Sequence, residues 1–320
     1  MRIKHIASIL SLYIIMGLFS PAWGDSYRFN SGPQGGNWFV LGGAISAYFT
    51  EDGLQTSSST GGGVANIINV NNGKADFGFS VGSLVGAAHA GEETFKGKVE
   101  NAVIFANLYP QITYFVARKD FVEKNNIKTL KDIFAVPKLS FATLKPGTSS
   151  EFVIRSLFHL AYDQDWKKLK QNGAKVQFTS YSDGAGLMGD GHIDVFAFSV
   201  GEKASIILNI ESQVDVVLLP VDEEALQILS KNYGTSTFNV EPGFYKSVTS
   251  SVPTVGDYTV LITNKNIETD VISKAAESLY KNADNLAATV KDFSAFSAAA
   301  AISTLPMHEA AKQYWQQQAD

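Results

Sequence analysis

The chain has 320 residues, a formal net charge of −5, 18% charged and 45% hydrophobic residues, and no cysteine. The mildly acidic balance argues against a nucleic-acid partner, which needs a basic surface; the lack of cysteine excludes disulfides, a thiol nucleophile, thiolate metal sites and a lipidated N-terminal cysteine. A chain this long buries a large core without cross-links, as one large domain or two lobes.

The first element is a leader. Arg2 and Lys4 precede an uninterrupted apolar run over residues 6–19, then Ser20, Pro21 and the small-x-small step Ala22-Trp23-Gly24. A basic start, an apolar run short for a membrane span and small residues before Asp25 predict a signal peptide over 1–24, cut before Asp25. Losing Arg2 and Lys4 and no acid moves the net charge from −5 to −7.

Residues 27–30 alternate as a short strand, and Ser31-Gly32-Pro33-Gln34-Gly35-Gly36-Asn37 reads as a tight loop. Trp38, Leu41, Ile45 and Tyr48/Phe49, spaced by three and four, put an apolar face on a helix. The unit then repeats. A polar Ser/Thr/Gly run over 56–63 opens a helix with Val64, Ile67, Ile68 and Val70, which ends at Gly73 before a strand over 75–80. A helical piece over 82–90, a polar loop and a strand over 102–106 follow. Residues 111–118, ITYFVAR in their core, are β-branched and aromatic and form the strongest strand.

A second series starts near Asp120, with a short helix at 128–132 and a strand at 139–143. Lys145-Pro146-Gly147-Thr148-Ser149-Ser150 is a third polar turn. It opens a helix with Val153, Ile154, Leu157, Phe158 and Ala161 on its apolar face and Glu151 in its first turn, where the dipole favours an acid. Strands over 176–179, 194–198 and 214–219 and a helix over 182–188 complete the series. A strand over 258–263 is then expected to pair with 111–118. Thr269 or Asp270 caps a helix carrying Val271, Ile272, Ala275 and Leu279, and helices over 284–302 and 308–318 end the chain. Alternating strands and helices predict an α/β fold. Two series joined by two crossing strands predict two lobes, 25–118 plus 255–320 and 119–254, with a hinge near 118–120 and 252–256 and a ligand cleft between them.

The chemistry concentrates in the polar loops. A glycine-rich loop at a helix start presents backbone N–H groups to one point, and the helix dipole favours an anion there. Thr60, Gly61, Gly62 and Gly63, with Asn66 one turn on, lack the Gly-Lys-Ser/Thr ending of a nucleotide loop, so a carboxylate suits them better than a polyphosphate. A tight turn closing a helix end would use the same glycines without any ligand. Gln34, Gly35, Gly36 and Asn37 form a second such loop. Thr148, Ser149 and Ser150 form a third, where capping explains one hydroxyl but not three. Trp38, Tyr109 and Phe198 are candidate walls, although core packing claims such aromatics equally well.

After the leader the only arginines are Arg28, Arg118 and Arg155. A bidentate arginine is the usual carboxylate clamp, and only Arg155 lies on a helix that one of the loops opens. Carboxylate capture by backbone N–H groups and hydroxyls is therefore the working expectation, with Arg155 left open. Glu202 follows the 194–199 strand and could hold the ammonium of an amino-acid ligand. A competing enzyme reading starts from Gly78-Phe79-Ser80-Val81-Gly82, which fits the G-x-S-x-G serine elbow, with Asp194 or Asp257 and His308 in the order Ser, Asp, His. Against it, Ser80 arrives after about two strands, and so short a motif arises by chance among 27 glycines. The histidines after the leader, His89, His159, His192 and His308, have no metal-ligand spacing, so no metal or cofactor is expected.

Several segments carry a family likeness. They are Gly35-Gly36-Asn37-Trp38-Phe39-Val40-Leu41-Gly42-Gly43-Ala44-Ile45, Thr60-Gly61-Gly62-Gly63-Val64-Ala65-Asn66, Gly73-Lys74-Ala75-Asp76, Leu108-Tyr109-Pro110, Pro146-Gly147-Thr148-Ser149, Gly191-His192-Ile193-Asp194-Val195-Phe196 and Pro306-Met307-His308 with Tyr314. In order and spacing they resemble the TAXI family, the solute-binding proteins of TRAP transporters, over essentially the whole mature chain. The resemblance implies a type II-like periplasmic binding protein and not an enzyme. It would close on a small organic acid, a glutamate-like amino acid or a C4–C5 dicarboxylate, and deliver it to TRAP membrane permease subunits driven by an ion gradient. Where many relatives carry a Gln-Ser-Asp-like stretch, this chain has Ser80-Val81-Gly82-Ser83, which leaves the ligand's identity open; Ser80 stands among the candidate ligand contacts. Where relatives end in His-Pro-Gly-Ala, it has His308-Glu309-Ala310-Ala311. The ligand is expected to meet loops 34–37 and 60–66 first, and closure then to bring Thr148, Ser149 and Ser150 onto it.

Overall fold

From Tyr27 onward the chain alternates strand and helix, as its apolar spacing requires. A computed structural model describes residues 26–91, 94–289 and 296–319. The expected leader and part of the expected 284–302 helix lie outside them. The first series runs β1 Tyr27–Asn30, α1 Asn37–Glu51, β2 Thr56–Ser59, α2 Gly63–Asn71, β3 Phe77–Val81, α3 Gly82–Ala90 and β4 Ala102–Arg118. The second runs α4 Lys119–Asn125, a 3-10 turn at Leu130–Ala135, β5 Ser140–Leu144, α5 Ser149–Tyr162, α6 Trp166–Gln171, β6 Lys175–Thr179, α7 Tyr181–Gly189, β7 Val195–Val200, α8 Ser205–Glu211, β8 Val216–Leu218, α9 Glu223–Tyr233 and β9 Ser236–Val240. The chain closes with β10 Val252–Asn264, α10 Thr269–Lys281, α11 Ala283–Thr289, a 3-10 turn at Ala299–Ala301 and α12 Glu309–Ala319. No helix among the described residues is long and apolar enough to cross a membrane.

Ten strands form one mixed sheet in the order β2-β1-β3-β10-β4-β7-β5-β6, with β8 on β4 and β9 on β10. Pairing within each series is parallel (β1 with β2 and β3, β5 with β6 and β7), whereas β4 and β10 pair antiparallel with their neighbours. These two long strands join the halves. β4 lies on β10 from Ala102 to Ile112 and on β7 from Ile112 to Ala117. β10 lies on β9 from Val252 to Gly256 and on β3 from Thr259 to Thr263. Both strands therefore change partners at the directly paired positions Ile112 and Gly256.

Several expectations need correction. Residues 102–106 and 111–118 are one strand, and Pro110 sits inside it opposite Tyr258. The 258–263 segment lies against the 103–110 stretch of β4, not against 111–118. The cap of α10 is Glu268, not Thr269 or Asp270. Thr56–Ser59, read as loop, is an edge strand parallel to β1; only Thr56 in it is buried, so it carries no apolar alternation to read. The elements α4, α6, α8, α9 and β9 have no counterpart in the sequence reading.

One core runs under α1, α2 and α3, along the sheet and under α5, through Phe29, Phe77, Phe79, Phe105, Phe115, Phe141, Phe158 and Trp315. Each such ring contributes about 2–3 kcal/mol through burial. The Trp315 indole also donates to the Phe105 carbonyl at 2.7 Å, which pins α12 to β4. A second cluster, with Ile112, Tyr114, Phe196, Phe198 and Tyr245, fills the other face beneath α7 and α8.

Candidate functional site

Asn66 organises the first wall. It is fully buried on α2, and its amide nitrogen donates to the carbonyls of Asn30 (3.0 Å), Ser31 (2.8 Å) and Phe79 (2.8 Å), tying the ends of β1 and β3 together. Its oxygen accepts from the Gly62 amide at 3.1 Å. The start of α2 is thereby fixed relative to the sheet. The first-turn N–H groups of an α-helix have no intrahelical acceptor, so a fixed helix start is a fixed set of donors.

The start of α5 faces it. The three successive hydroxyls have three different jobs. Thr148 caps the helix, accepting from the Glu151 amide (3.3 Å) and donating to the Lys145 carbonyl (2.8 Å). Ser150 is bonded in both directions to the backbone of Ser199. Ser149 is only 5% exposed, and its hydroxyl has no partner among the described residues. The two helix starts touch, because the Val64 amide donates to the Gly147 carbonyl at 3.2 Å. A Cβ on Gly62 would fall 3.0 Å from that same oxygen, and one on Gly63 3.1 Å from Ser149 Cβ.

Between them lies an inner hollow of about 30 Å³, walled by Gly62 and Gly63, by Thr148, Ser149 and Ser150, and by Pro33, Gly36, Asn37 and Trp38 at the start of α1. Three helix starts thus border one small space. Its floor is a buried polar chain across both halves of the sheet. Trp38 Nε1 donates to Thr259 (3.2 Å), Thr259 donates to Gln111 Oε1 (2.8 Å), and Gln111 Nε2 donates to the Ser199 carbonyl (3.2 Å). The Tyr181 hydroxyl donates to that same carbonyl at 2.9 Å. Burial pushes the Tyr181 phenol up to about 12, so it remains a donor at neutral pH. An outer hollow of about 440 Å³ adjoins the inner one and shares Pro33, Gly62, Leu144, Thr148 and Tyr181 with it.

Of the candidate residues, Gly36, Asn37, Trp38, Gly62, Gly63, Tyr109, Thr148, Ser149 and Ser150 line the inner hollow, and Gln34, Thr60 and Gly61 line the outer one. Gly35, Asn66, Ser80, Phe198 and Glu202 line neither. Gly35 is a turn residue at φ +85°, and Asn66 and Ser80 shape the α2 loop from behind. Phe198 packs against Tyr181 one layer down, in the second core cluster. Arg155 is engaged by Glu151 (3.1 Å) and Thr94 (3.3 Å) and lines neither hollow. Gln111, Tyr181, Ser199 and Lys145 line the hollows without having been anticipated. The one signal for them was a glutamine opening an otherwise apolar strand.

The serine-hydrolase alternative is overturned by these contacts. Ser80 is buried within β3, paired with Val260, and its hydroxyl donates to the Gly63 carbonyl at 3.3 Å. Asp257 binds Ser83, Asp194 accepts from the Ser140 amide, and His308 Nε2 donates to the Ile267 carbonyl while Nδ1 accepts from Ala310. No two of Ser80, Asp194, Asp257 and His308 are bonded to one another among the described residues. Nor do those residues hold a cluster of His, Asp or Glu fit for a metal ion.

A profile of the NMT1-like family matches residues 29–318. Among solved structures the chain is similar to a binding-protein component of an ABC phosphonate transporter from Pseudomonas aeruginosa, with TM-score 0.55 and 13% identity over 92% of this chain and 85% of that one. It is similar to the periplasmic binding protein BugD, with TM-score 0.53 and 12% identity over 92% and 93%. It is also similar to MatC from Rhodopseudomonas palustris with bound malate, with TM-score 0.52 and 15% identity over 83% and 88%. At such identities the likeness speaks for the fold, the two-lobed α/β fold of periplasmic binding proteins.

Proposed function

The chain belongs to the NMT1-like family, and from that premise we propose that it is an extracytoplasmic solute-binding protein that captures a small organic acid between two lobes. The carrying observation is Ser149, a nearly buried hydroxyl without a partner among the described residues, set between the starts of α2 and α5 where both dipoles favour negative charge. In this reading the acid's carboxylate enters the inner hollow and accepts from Ser149 and from first-turn N–H groups. The lobes of this reading are 25–118 plus 255–320 and 119–254, and the change of partners of β4 and β10 at Ile112 and Gly256 supports a hinge along these two crossing strands. Ligand favours the closed form because only there does it touch both helix starts. The TAXI-like segments support a TRAP membrane permease as the recipient, and the leader expected from the sequence of residues 1–24 supports a periplasmic location.

Calorimetric titration with small carboxylic acids and their amides tests the proposal. Acids bind, amides do not, and Ser149→Ala loses about tenfold to a hundredfold in affinity, the worth of a hydrogen bond to a charged group. Amides binding as well as acids would end the carboxylate reading.

A further inference from the structure

We propose that Arg155 is a latch: it does not meet the ligand, and by clasping Thr94 across the cleft it holds the two halves in the closed arrangement. The inference rests on the proposed swing of the halves about β4 and β10.

In its own half the guanidinium sits on a fixed mount. Arg155 lies on α5, six residues and therefore about 9 Å beyond Ser149 along the helix axis, and lines neither hollow. Its Nε donates to Glu151 Oε1 at 3.1 Å, one turn back. Glu151 is 4% exposed, and the same oxygen accepts from Trp166 Nε1 at 2.8 Å. The guanidinium carbon stands 5.9 Å from the centre of the Phe152 ring. An arginine carries its donors in a rigid planar fork, so fixing one edge aims the other.

The other edge leaves that half. Arg155 Nη2 donates to the Thr94 hydroxyl at 3.3 Å. Thr94 follows α3 and precedes β4, on the first half. It too is mounted firmly: its neighbour Phe95 is buried in the core with Leu84 and Phe105, and the Val99 amide donates to the Ala88 carbonyl at 2.9 Å, which folds the segment back onto α3. Two anchored groups thus meet across the gap, away from the Val64–Gly147 contact at the helix starts. A bond made only when the halves are together shifts the population toward that state by its own free energy, whatever the ligand contributes. The ligand then spends less of its binding energy on closure.

The chain has no cysteine, so Lys74→Cys and Lys167→Cys, both at exposed positions, carry one spin label on each half of the full mature chain. Pulsed electron–electron resonance reads the distribution of separations. Thr94→Val removes the acceptor and leaves the Arg155–Glu151 pair intact. It is expected to lower the ratio of short to long separations about threefold to tenfold, the worth of one hydrogen bond, while Thr94→Ser matches the parent. In an Arg155→Gln background Thr94→Val should shift nothing further. Gly62→Val, whose side chain meets the Gly147 carbonyl, is the open reference. Thr94→Val matching the parent while Gly62→Val moves to longer separations overturns the latch and leaves the swing standing. Thr94→Ser shifting as far as Thr94→Val, or a further shift in the Arg155→Gln background, also overturns it. One unchanged distribution in every variant overturns the swing itself, and the latch with it.

Discussion

The Ser150 hydroxyl accepts from the Ser199 amide at 2.9 Å and donates to the Ser199 carbonyl at 3.2 Å, stitching the first turn of α5 to the end of β7. The neighbouring Ser149 hydroxyl makes no such bond. In the proposed site, two adjacent serines on one helix turn would divide structure from recognition. Ser150→Ala takes its side-chain acceptor from the buried Ser199 amide, while the Ser199 carbonyl keeps Gln111 and Tyr181, and should cost about 1–3 kcal/mol of stability. Ser149→Ala should leave the urea midpoint within about 0.5 kcal/mol of the parent while binding suffers. Equal effects of the two substitutions on unfolding would erase the distinction.

Asn66 ties β1, β3 and the α2 loop together through four hydrogen bonds. Removing it leaves several buried backbone groups unpaired, so Asn66→Ala should lower stability by about 3 kcal/mol or more. Asn66→Asp should be worse, since it sets an acceptor against three carbonyls. Urea denaturation of the two variants checks the order; a milder Asp variant would refute the assignment of donors.

Gly62 has an extended backbone, φ −169°, that any residue tolerates. The obstacle to a side chain is the Gly147 carbonyl across the gap, 3.0 Å from a Cβ. Gly62→Val should hold the halves apart. Small-angle scattering should show a larger radius of gyration than the parent under identical conditions, with a melting temperature changed by only a few degrees. An unchanged radius would mean that the loop yields instead.

Asp257 is 8% exposed at the start of α3, held by the Ser83 hydroxyl and amide and by the Tyr258 amide. Burial pushes its carboxyl up to about 6, against the lowering effect of those bonds. The folded state therefore holds this proton more tightly than the unfolded chain. Its stabilising share is full below the ordinary value of 3.8 and is lost as pH rises through about 6. Asp257→Asn should remove that slope, gaining on the parent by on the order of 3 kcal/mol between pH 4 and pH 7. Burial depresses the His308 imidazole, so its contribution has the opposite sense, present at neutral pH and lost on acidification. Differencing the two chains cancels that common contribution. A gap that stays constant with pH would show Asp257 to be ionised normally.

Much of this was legible in the sequence because the helices speak in one pattern. Trp38, Leu41, Ile45 and Phe49 are all buried as their spacing implied, and so are Val153, Ile154, Leu157 and Phe158. The loops at the helix starts were legible through their glycines and hydroxyls. The floor was not. Gln111, Tyr181 and Ser199 stand far apart in the chain and meet only because the sheet sets β7 beside β4 and α7 above it. Local pattern carries no trace of strand order. The edge strand at Thr56–Ser59 was missed for a different reason, since a polar strand paired along one side only has no buried face to advertise. Asn66 reads as a ligand contact because a polar residue near glycines suggests recognition, whereas its side chain is spent on backbone.

Gln111 and Asp257 lie directly opposite each other beside the exchange of partners at Ile112 and Gly256, and in the proposed closure that would set them beside the axle of the swing. Points near an axle barely travel. Hydrogen bonds among Gln111, Thr259 and Ser199 can persist through such a swing, while the Val64–Gly147 pair at the rim must part. The bottom of the site would then be a permanent fixture, and only the lip would register whether the door is shut.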